Sequence, residues 1–205
     1  VETVVDFPVV ALKPLHNAFE ARAQDGRRGQ ARCALVCTGG LAAPKLGGCG
    51  DGYRLLESFG HRIMPRFPAI AAVKTPTEDV RGLKGIRAEA EVGLIVDGEC
   101  LRTERGEVLF ADYGLSGIAV MQLARQAGEA LRAGKTCALR LNFLPGTDVL
   151  ASLRLRAARL PRRTMEDFLN GIVPKRLGQT LARAAGIASA LTAEQLSAGA
   201  LNRLA

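Results

Sequence analysis

The sequence from residue 36 to residue 53 reads Val36-Cys37-Thr38-Gly39-Gly40-Leu41-Ala42-Ala43-Pro44-Lys45-Leu46-Gly47-Gly48-Cys49-Gly50-Asp51-Gly52-Tyr53. It overlaps a short apolar run, Cys33 to Cys37, that is typical of a strand buried on both faces. The glycines end this strand and let another group approach the backbone, because glycine has no Cβ. A helix-like run begins near Asp51 and reaches Gly60. The order of strand, glycine loop and helix predicts exposed backbone N–H groups at a helix N-terminus, which favour phosphate.

Motifs along most of the chain resemble those of a known family. The segments 36–40 and 44–53 resemble its Ala-Thr-Gly-Gly and Thr-Gly-Asp-Gly-Tyr motifs, although each taken alone also suits an ordinary turn. Residues 82–86 resemble the start of its inserted domain, and residues 106–110 and 113–117 resemble a later motif. The family is that of the bacterial NAD(P)/FAD-dependent oxidoreductases, also described as aminoacetone-oxidase-family FAD-binding flavoproteins with an inserted domain.

The resemblance implies that the glycine loop forms one wall of a flavin site. It implies FAD as the cofactor of the complete protein and admits NAD(P)H as a second one. The implied cofactor-binding residues are Thr38, Gly39, Gly40, Pro44, Lys45, Gly48, Gly50, Asp51 and Gly52. A helix-capping role for Asp51 remains open beside this one. No cysteine or histidine has metal-ligand spacing, so no metal site is predicted.

Two features of a complete FAD site are missing from the sequence. The first is the Gly-x-Gly-x-x-Gly turn after an initial strand, and the second is the acidic residue that binds the ribose. Members of the family also close the flavin site with a C-terminal segment. The chain therefore resembles a middle fragment, and its expected partners are a small-molecule substrate and the missing FAD-domain segments of the same protein. We expect the fragment alone to bind FAD weakly or not at all and to be inactive.

The expected fold is mixed, combining α/β and α+β organisation in three parts. Residues 1–70 are expected to form a partial FAD-binding (Rossmann-like) segment, with strands over 4–12 and 17–24 and a turn at Asp25-Gly26. Residues 71–146 are expected to form an inserted β-rich (barrel-like) subdomain with one helix. Residues 147–205 are expected to form a helical subdomain.

Local patterns support the second and third parts. Apolar and polar residues alternate over 86–92 and 137–143, short strands are indicated at 94–96, 100–102 and 107–110, and Asp97-Gly98 is a hairpin signal. A helix is predicted from an N-cap at Ser116 to a stop at Gly134. Thr164 and Thr192 have capping-box spacing or a close relative of it.

The charge balance allows a different class of function. The chain has 28 Lys and Arg residues against 20 Asp and Glu, a formal net charge of +8. Because the basic residues are spread out with few aromatic residues between them, nucleic-acid binding is not favoured. One cluster predicts a solvated helix face or a surface for another part of the protein: Arg154, Arg156, Arg159, Arg162 and Arg163. The alternative function is a non-enzymatic binding module with a basic helical surface for protein or nucleic acid.

The cysteines, the hydropathy and the departures from the family motifs restrict where the protein is expected to be located and which catalytic residues can be assigned. The five cysteines are expected to be small buried hydrophobes in a reducing cytoplasm, and no stretch is long enough for a membrane helix. Cys37 and Cys49 depart from the family motifs, as does the pair Ala111-Asp112. No catalytic residue is therefore assigned. The candidate polar residues, each equally explained by a loop, turn or cap, are Lys45, Asp112, Tyr113 and Ser116.

Overall fold

The computed structural model describes residues 2–205, without the side chains of Thr77 and Asp79. The chain divides into two compact units, Val1–Arg66 and Phe67–Ala205. The three-part division with limits at 70 and 146 stays a prediction. The architecture is mixed α/β, with a curled half-barrel sheet and several helices, which confirms the expected combination of a barrel-like sheet and a helical part. Within residues 2–205, no helix has the length and apolar character needed to cross a membrane.

The first unit contains an antiparallel ribbon and one short helix. Its elements are β1 (Val9–Pro14), β2 (Phe19–Ala23), β3 (Arg28–Ala31) and α1 (Asp51–Glu57). The predicted turn between β2 and β3 is confirmed, and Gly26 has a φ of 90° there. The rings of Phe19 and Phe59 lie with centroids 6.0 Å apart, so the ribbon packs against the segment that follows α1.

The predicted buried strand at Cys33–Cys37 is wrong. Residues 33–40 belong to no strand, and Leu35 is 90% exposed. A strand is buried on both faces only inside a sheet that other segments cover on both faces. In the described part of the chain, neither sheet includes this run. The expectation of buried cysteines fails here as well, because Cys33 and Cys37 are exposed.

The second unit is built on a five-stranded antiparallel sheet with the order β4-β7-β6-β5-β8. Its strands, with a short helix α2 (Thr77–Val80) after the first, are β4 (Val73–Lys74), β5 (Arg87–Val96), β6 (Glu99–Ala111), β7 (Gly114–Ser116) and β8 (Cys137–Asn142). The predicted Asp97-Gly98 hairpin is confirmed, and both residues have positive φ. The strands predicted at 100–102 and 107–110 are one continuous strand, because β6 pairs with β5 along its length.

Helix α3 (Ile118–Arg132) packs against this sheet. Its buried face and the alternate residues of β5 form the core, as their spacing predicted: Ala88, Ala90, Val92, Leu94, Val120, Leu123 and Ala127. The predicted N-cap at Ser116 is wrong, because Ser116 ends β7 and Gly117 is the cap. Gly117 has a φ of 100°, and a Cβ there would collide with the carbonyl oxygen of Glu107.

The remaining helices form a second core. They are α4 (Val149–Arg159), α5 (Met165–Phe168), α6 (Lys175–Ala184) and α7 (Ala198–Leu204). The Thr192 capping box is confirmed, since the Thr192 N–H donates to Oε1 of Gln195 at 2.9 Å. Thr164 makes no side-chain cap bond; the Asp167 carboxylate accepts instead from Asn170 and Lys175. Arg156 is not simply solvated, because it donates to the carbonyl oxygens of Phe168 and Asn170.

The ion pair between Asp167 and Lys175 predicts a pH dependence. Hydrogen bonds from Lys175 and then from Asn170 hold the pKa of Asp167 below its ordinary value. The unfolded chain therefore takes up this proton at higher pH than the folded chain does. The stabilisation is complete above the ordinary aspartate pKa of about 3.9 and is lost as the pH falls through the lower, folded value. The Asp167 bond raises the pKa of Lys175, so its contribution is lost as the pH rises through that raised value.

We expect Asp167→Asn to lower the melting temperature slightly at neutral pH and to flatten its decline in acid. The effect is small because both side chains are largely exposed. Thermal melts followed by circular dichroism from neutral to acid pH measure it. Glu99→Gln is the matched control, because the Glu99 side chain has no hydrogen bond or ion pair among the described contacts. An unchanged acid slope in Asp167→Asn would contradict the linkage.

The cysteines predict a second measurable pattern. All five are free, and four are exposed, whereas Cys137 is half-buried. Burial, and next the carboxylate of Asp97, raise the pKa of the Cys137 thiol. Because the thiolate is the reactive form, we expect a thiol reagent to modify four cysteines quickly and Cys137 several-fold more slowly. Cys137→Ser should remove only the slow phase, and in denaturant all five should react alike; a single native phase would contradict this.

Candidate functional site

The glycine loop folds back onto itself and onto the first turn of α1. A Cβ on Gly48 would collide with the carbonyl oxygen of Ala42 and would lie 2.9 Å from that of Gly40. A Cβ on Gly52 would collide with Oγ1 of Thr38. Both glycines are thus required by the packing of the loop, since any side chain would displace the neighbouring segment.

The structure brings together only part of the predicted cofactor-binding set. Thr38, Gly40, Gly48 and Gly52 are neighbours, as the contacts above show. Gly50, with a φ of 77°, is buried at the start of α1. Two of the others, Pro44 and Lys45, lie in an exposed 3-10 turn (residues 44–46) at the middle of the loop. Gly39 is open: it has a φ of 74°, and no heavy atom lies within 4 Å of a Cβ built there.

Asp51 is the first residue of α1, and the interpretation as its N-cap is wrong, because Gly50 occupies that position in a left-handed conformation. The Asp51 carboxylate pairs with Arg54 and accepts from the Cys49 thiol at 2.9 Å. The hydrogen bond from Cys49, and then the one from Arg54, hold the pKa of Asp51 below its ordinary value. An ionised carboxylate in the first turn repels a phosphate, so this helix end does not suit the predicted phosphate group.

An open cavity of about 900 Å³ lies beside the ribbon in the first unit. Side chains of the three strands line it, and so does the exposed run from Cys33 to Thr38. Arg27 and Arg28 also reach it, but Arg27 is held by Asp25, with 2.6 Å between Nε and Oδ2, and lies over the ring of Phe7. The volume lies within the range of about 300–1,000 Å³ that is usual for pockets of small molecules and cofactors.

These residues fit one wall of a flavin nucleotide site. The open main chain at Gly39 and the apolar side chains of Leu35 and Val36 suit a flat ring with polar edges, because they offer backbone hydrogen bonds beside apolar surface. They do not fit its phosphates, for which α1 presents the carboxylate of Asp51.

The other polar candidates lie in the second unit and form no catalytic pair there. Nζ of Lys84 lies 2.6 Å from Oδ2 of Asp112, and this bond lowers the pKa of Asp112 and raises that of Lys84. Tyr113 is exposed in the turn before β7, and Ser116 ends that strand. Among the side chains that the structure describes, no group of three or more His, Cys, Asp and Glu residues could hold a metal ion.

The sequence patterns did not identify Arg54 as the partner of Asp51, or Lys84 as the partner of Asp112. The spacing of three residues between Asp51 and Arg54 on a helix could have indicated the first pair. Asp112 and Lys84 are separated by 28 residues, and no local signal joins them.

Residues 68–205 match the family described as HI0933-like protein barrel and H2TH domain. The chain belongs to this HI0933-like family, which is of the FAD-dependent oxidoreductase type. The predicted resemblance is confirmed at that level.

The chain is also similar to three characterised proteins. It is 34% identical over 172 residues to the 3-dehydro-bile acid delta(4,6)-reductase of Clostridium scindens, which covers 82% of this chain and 42% of that protein. It is 28% and 25% identical to the ribosomal RNA dihydrouridine synthases of Escherichia coli and Haemophilus influenzae. Each of those matches covers 72% of this chain and 35% of the relative. The chain therefore spans less than half the length of these relatives.

Proposed function

We propose that this chain supplies one wall of the FAD site of a larger oxidoreductase, together with its barrel and helical domain. The observation that carries the proposal is the apolar run from Cys33 to Cys37, which lines the 900 Å³ cavity and is exposed except at the half-buried Val36. An exposed apolar run is explained when another surface covers it. The remaining FAD-domain segments of the same protein are the proposed cover, and we expect the chain without them to bind FAD weakly or not at all.

The chain's own residues would bind and orient the cofactor. FAD, when bound, supplies hydride chemistry. The open backbone of Gly39, with the hydroxyl of Thr38, would hold polar ring edges. Leu35 and Val36 would exclude water from one side of the flavin ring. Roles for Pro44, Lys45 and Asp51 at the cofactor stay predictions, as do the use of NAD(P)H and a cytoplasmic location.

The reaction proposed is the reduction of a carbon–carbon double bond conjugated to a carbonyl group in a small-molecule substrate. The names of the relatives support it, because a 3-dehydro delta(4,6) compound and uridine each contain such a double bond. Two electrons and two protons are added across the bond. We expect the complete protein to oxidise its reduced flavin with a conjugated cyclic enone and not with the saturated ketone.

Gly48→Ala in the complete protein tests whether the glycine loop forms a wall of the FAD site. We expect the flavin bound per protein, measured from its visible absorbance after gel filtration, to fall several-fold, because a Cβ would push the carbonyl oxygens of Ala42 and Gly40 away. Gly60→Ala, in the turn that follows α1, is the control: Gly60 has a φ of 82° but open space around it. Unchanged flavin content in Gly48→Ala, or complete absence of flavin in the parent protein, would contradict the proposal.

A second candidate is that the double bond belongs to a uridine in RNA. The names of two relatives favour it, and Arg154, Arg159 and Arg162 are exposed in the second unit. Such a substrate would make binding fall steeply with salt concentration, because phosphate contacts release counterions. Dihydrouridine formation in RNA, together with salt-sensitive binding, would favour this candidate, whereas enone reduction that is insensitive to salt would favour the first. Salt-sensitive RNA binding without any flavin would favour a binding module.

A further inference from the structure

A second cavity, of about 400 Å³, lies within the second unit where the edge strand β8 meets α4, α6 and α7. One wall is apolar and comes from the helices, from the loops beside them and from the end of β8. It includes Leu153 and Leu169, which are buried in the helical core. The rest of the apolar lining includes Leu141, Phe143, Val149, Leu181, Leu204 and Ala205.

The opposite wall is polar and comes from three adjacent strands. Its side chains are Glu91 of β5, Thr103 of β6, and Arg140 and Asn142 of β8. In the sheet register, Gly93 lies opposite both Thr103 and Arg140. Because Gly93 has no side chain, it leaves a notch in the sheet face between them.

The guanidinium of Arg140 lies over this notch. A Cβ built on Gly93 would lie 3.7 Å from both Nε and a terminal nitrogen of Arg140. Within residues 2–205, Arg140 takes part in none of the described side-chain hydrogen bonds, ion pairs or cation–π contacts, whereas Asn142 accepts from the Leu144 N–H at 3.0 Å. A guanidinium presents a planar fork of donors that matches a carboxylate.

The one acidic side chain of the lining fixes the orientation of such a ligand. Glu91 lies opposite Asn142, two residues along β5 from Gly93, which corresponds to about 7 Å along the strand. Glu91 would repel a carboxylate from its own end of the wall, so the carboxylate would lie at Arg140.

We propose that this cavity binds an amphipathic carboxylic acid, with its carboxylate on Arg140 and its apolar body against the helices. The proposal is independent of the flavin site, because it uses none of the residues of the first unit. The apolar wall explains affinity for a hydrocarbon body, since burying such surface away from water is favourable. The guanidinium explains the preference for an acid.

Isothermal titration of the complete protein with octanoate, cholate and 1-octanol tests the site. Octanoate represents a linear acid, cholate a rigid polycyclic acid, and 1-octanol the neutral analogue. We expect at least one of the two acids to bind. If octanoate binds, 1-octanol should bind about tenfold more weakly, because the hydrogen bond between the Arg140 guanidinium and the charged carboxylate is lost. Absence of binding by both acids at millimolar concentration, or equal binding of octanoate and 1-octanol, would overturn the proposal.

Three variants locate the binding. Arg140→Gln should weaken acid binding about tenfold or more. Arg154→Gln, the matched control, should leave it unchanged, because Arg154 is exposed on α4 and does not line the cavity. Gly93→Leu should block the notch. The neighbours of a Cβ built there are side-chain atoms of Cys100 and Arg140, which can move aside, so we expect the fold to persist. Equal losses in Arg140→Gln and Arg154→Gln, or full binding in Gly93→Leu, would show that the acid lies elsewhere.

Discussion

Gly117→Ala is expected to lower the free energy of unfolding of the second unit by about 3–5 kcal/mol, since backbone strain and overpacking each cost about 1–3 kcal/mol and the site cannot yield. Gly117 links β7 to α3 with a φ of 100° and a ψ of 161°, a conformation that a side chain disfavours. A Cβ would collide with the carbonyl oxygen of Glu107 and would lie 3.0 Å from Cα of Val108. These are backbone atoms of the paired strand β6, so they cannot rotate away.

Gly134→Ala separates the cost of backbone strain from the cost of the collision. Gly134 also has a positive φ, 76°, but no heavy atom lies within 4 Å of a Cβ built there. We expect it to cost only about 1 kcal/mol, the price of the left-handed conformation alone. Urea unfolding followed by helical circular dichroism measures both variants. Equal losses in the two would mean that the collision with β6 adds nothing.

Phe168→Ala is expected to lower the free energy of unfolding by about 3–5 kcal/mol, the usual cost of truncating a buried phenylalanine. Phe168 is completely buried in the core formed by α4 to α7. Its ring packs beneath the guanidinium of Arg156, which lies 5.7 Å from the ring centroid and also donates to the Phe168 carbonyl oxygen. Truncation therefore leaves a cavity and removes the surface that supports Arg156.

The same urea measurement applies to Phe168→Ala, with Leu155→Ala as the control. Leu155 lies on α4 but is 53% exposed, so its truncation should change the free energy of unfolding by no more than about 0.5 kcal/mol. A loss below about 1 kcal/mol for Phe168→Ala would contradict the burial of this ring, since core truncations of this size cost several times more.

The part of the fold that sequence reasoning predicted rests on local signals. The alternation in β5 and β8, the Asp97-Gly98 hairpin and the buried face of α3 each depend on residues near one another in the chain. The same holds for the Thr192 capping box. The glycine loop was recognisable because its motif is contiguous.

The predictions that proved wrong concern residues whose structure depends on segments distant in the chain. The run from Cys33 to Cys37 has the composition of a buried strand, but it is buried only where segments that are distant in the chain pair with it and cover both of its faces. Ser116 is a good N-cap by type, yet β7 extends through it because it pairs with β6, and the close approach of Glu107 then requires glycine at the cap. Arg156 was predicted to be solvated, but it donates to two carbonyl oxygens at and just after the end of α5, those of Phe168 and Asn170.

Local sequence is sufficient to place the turns and the amphipathic faces of this protein, because these follow from the dihedral preferences and the spacing of neighbouring residues. Which glycines are required by close contact, and where Arg140 lies relative to an apolar wall, is visible only in the folded chain. The same is true of the exposure of the apolar run at Leu35. The physical reason is that burial, cavities and backbone collisions depend on segments that are distant in the chain and adjacent only after folding.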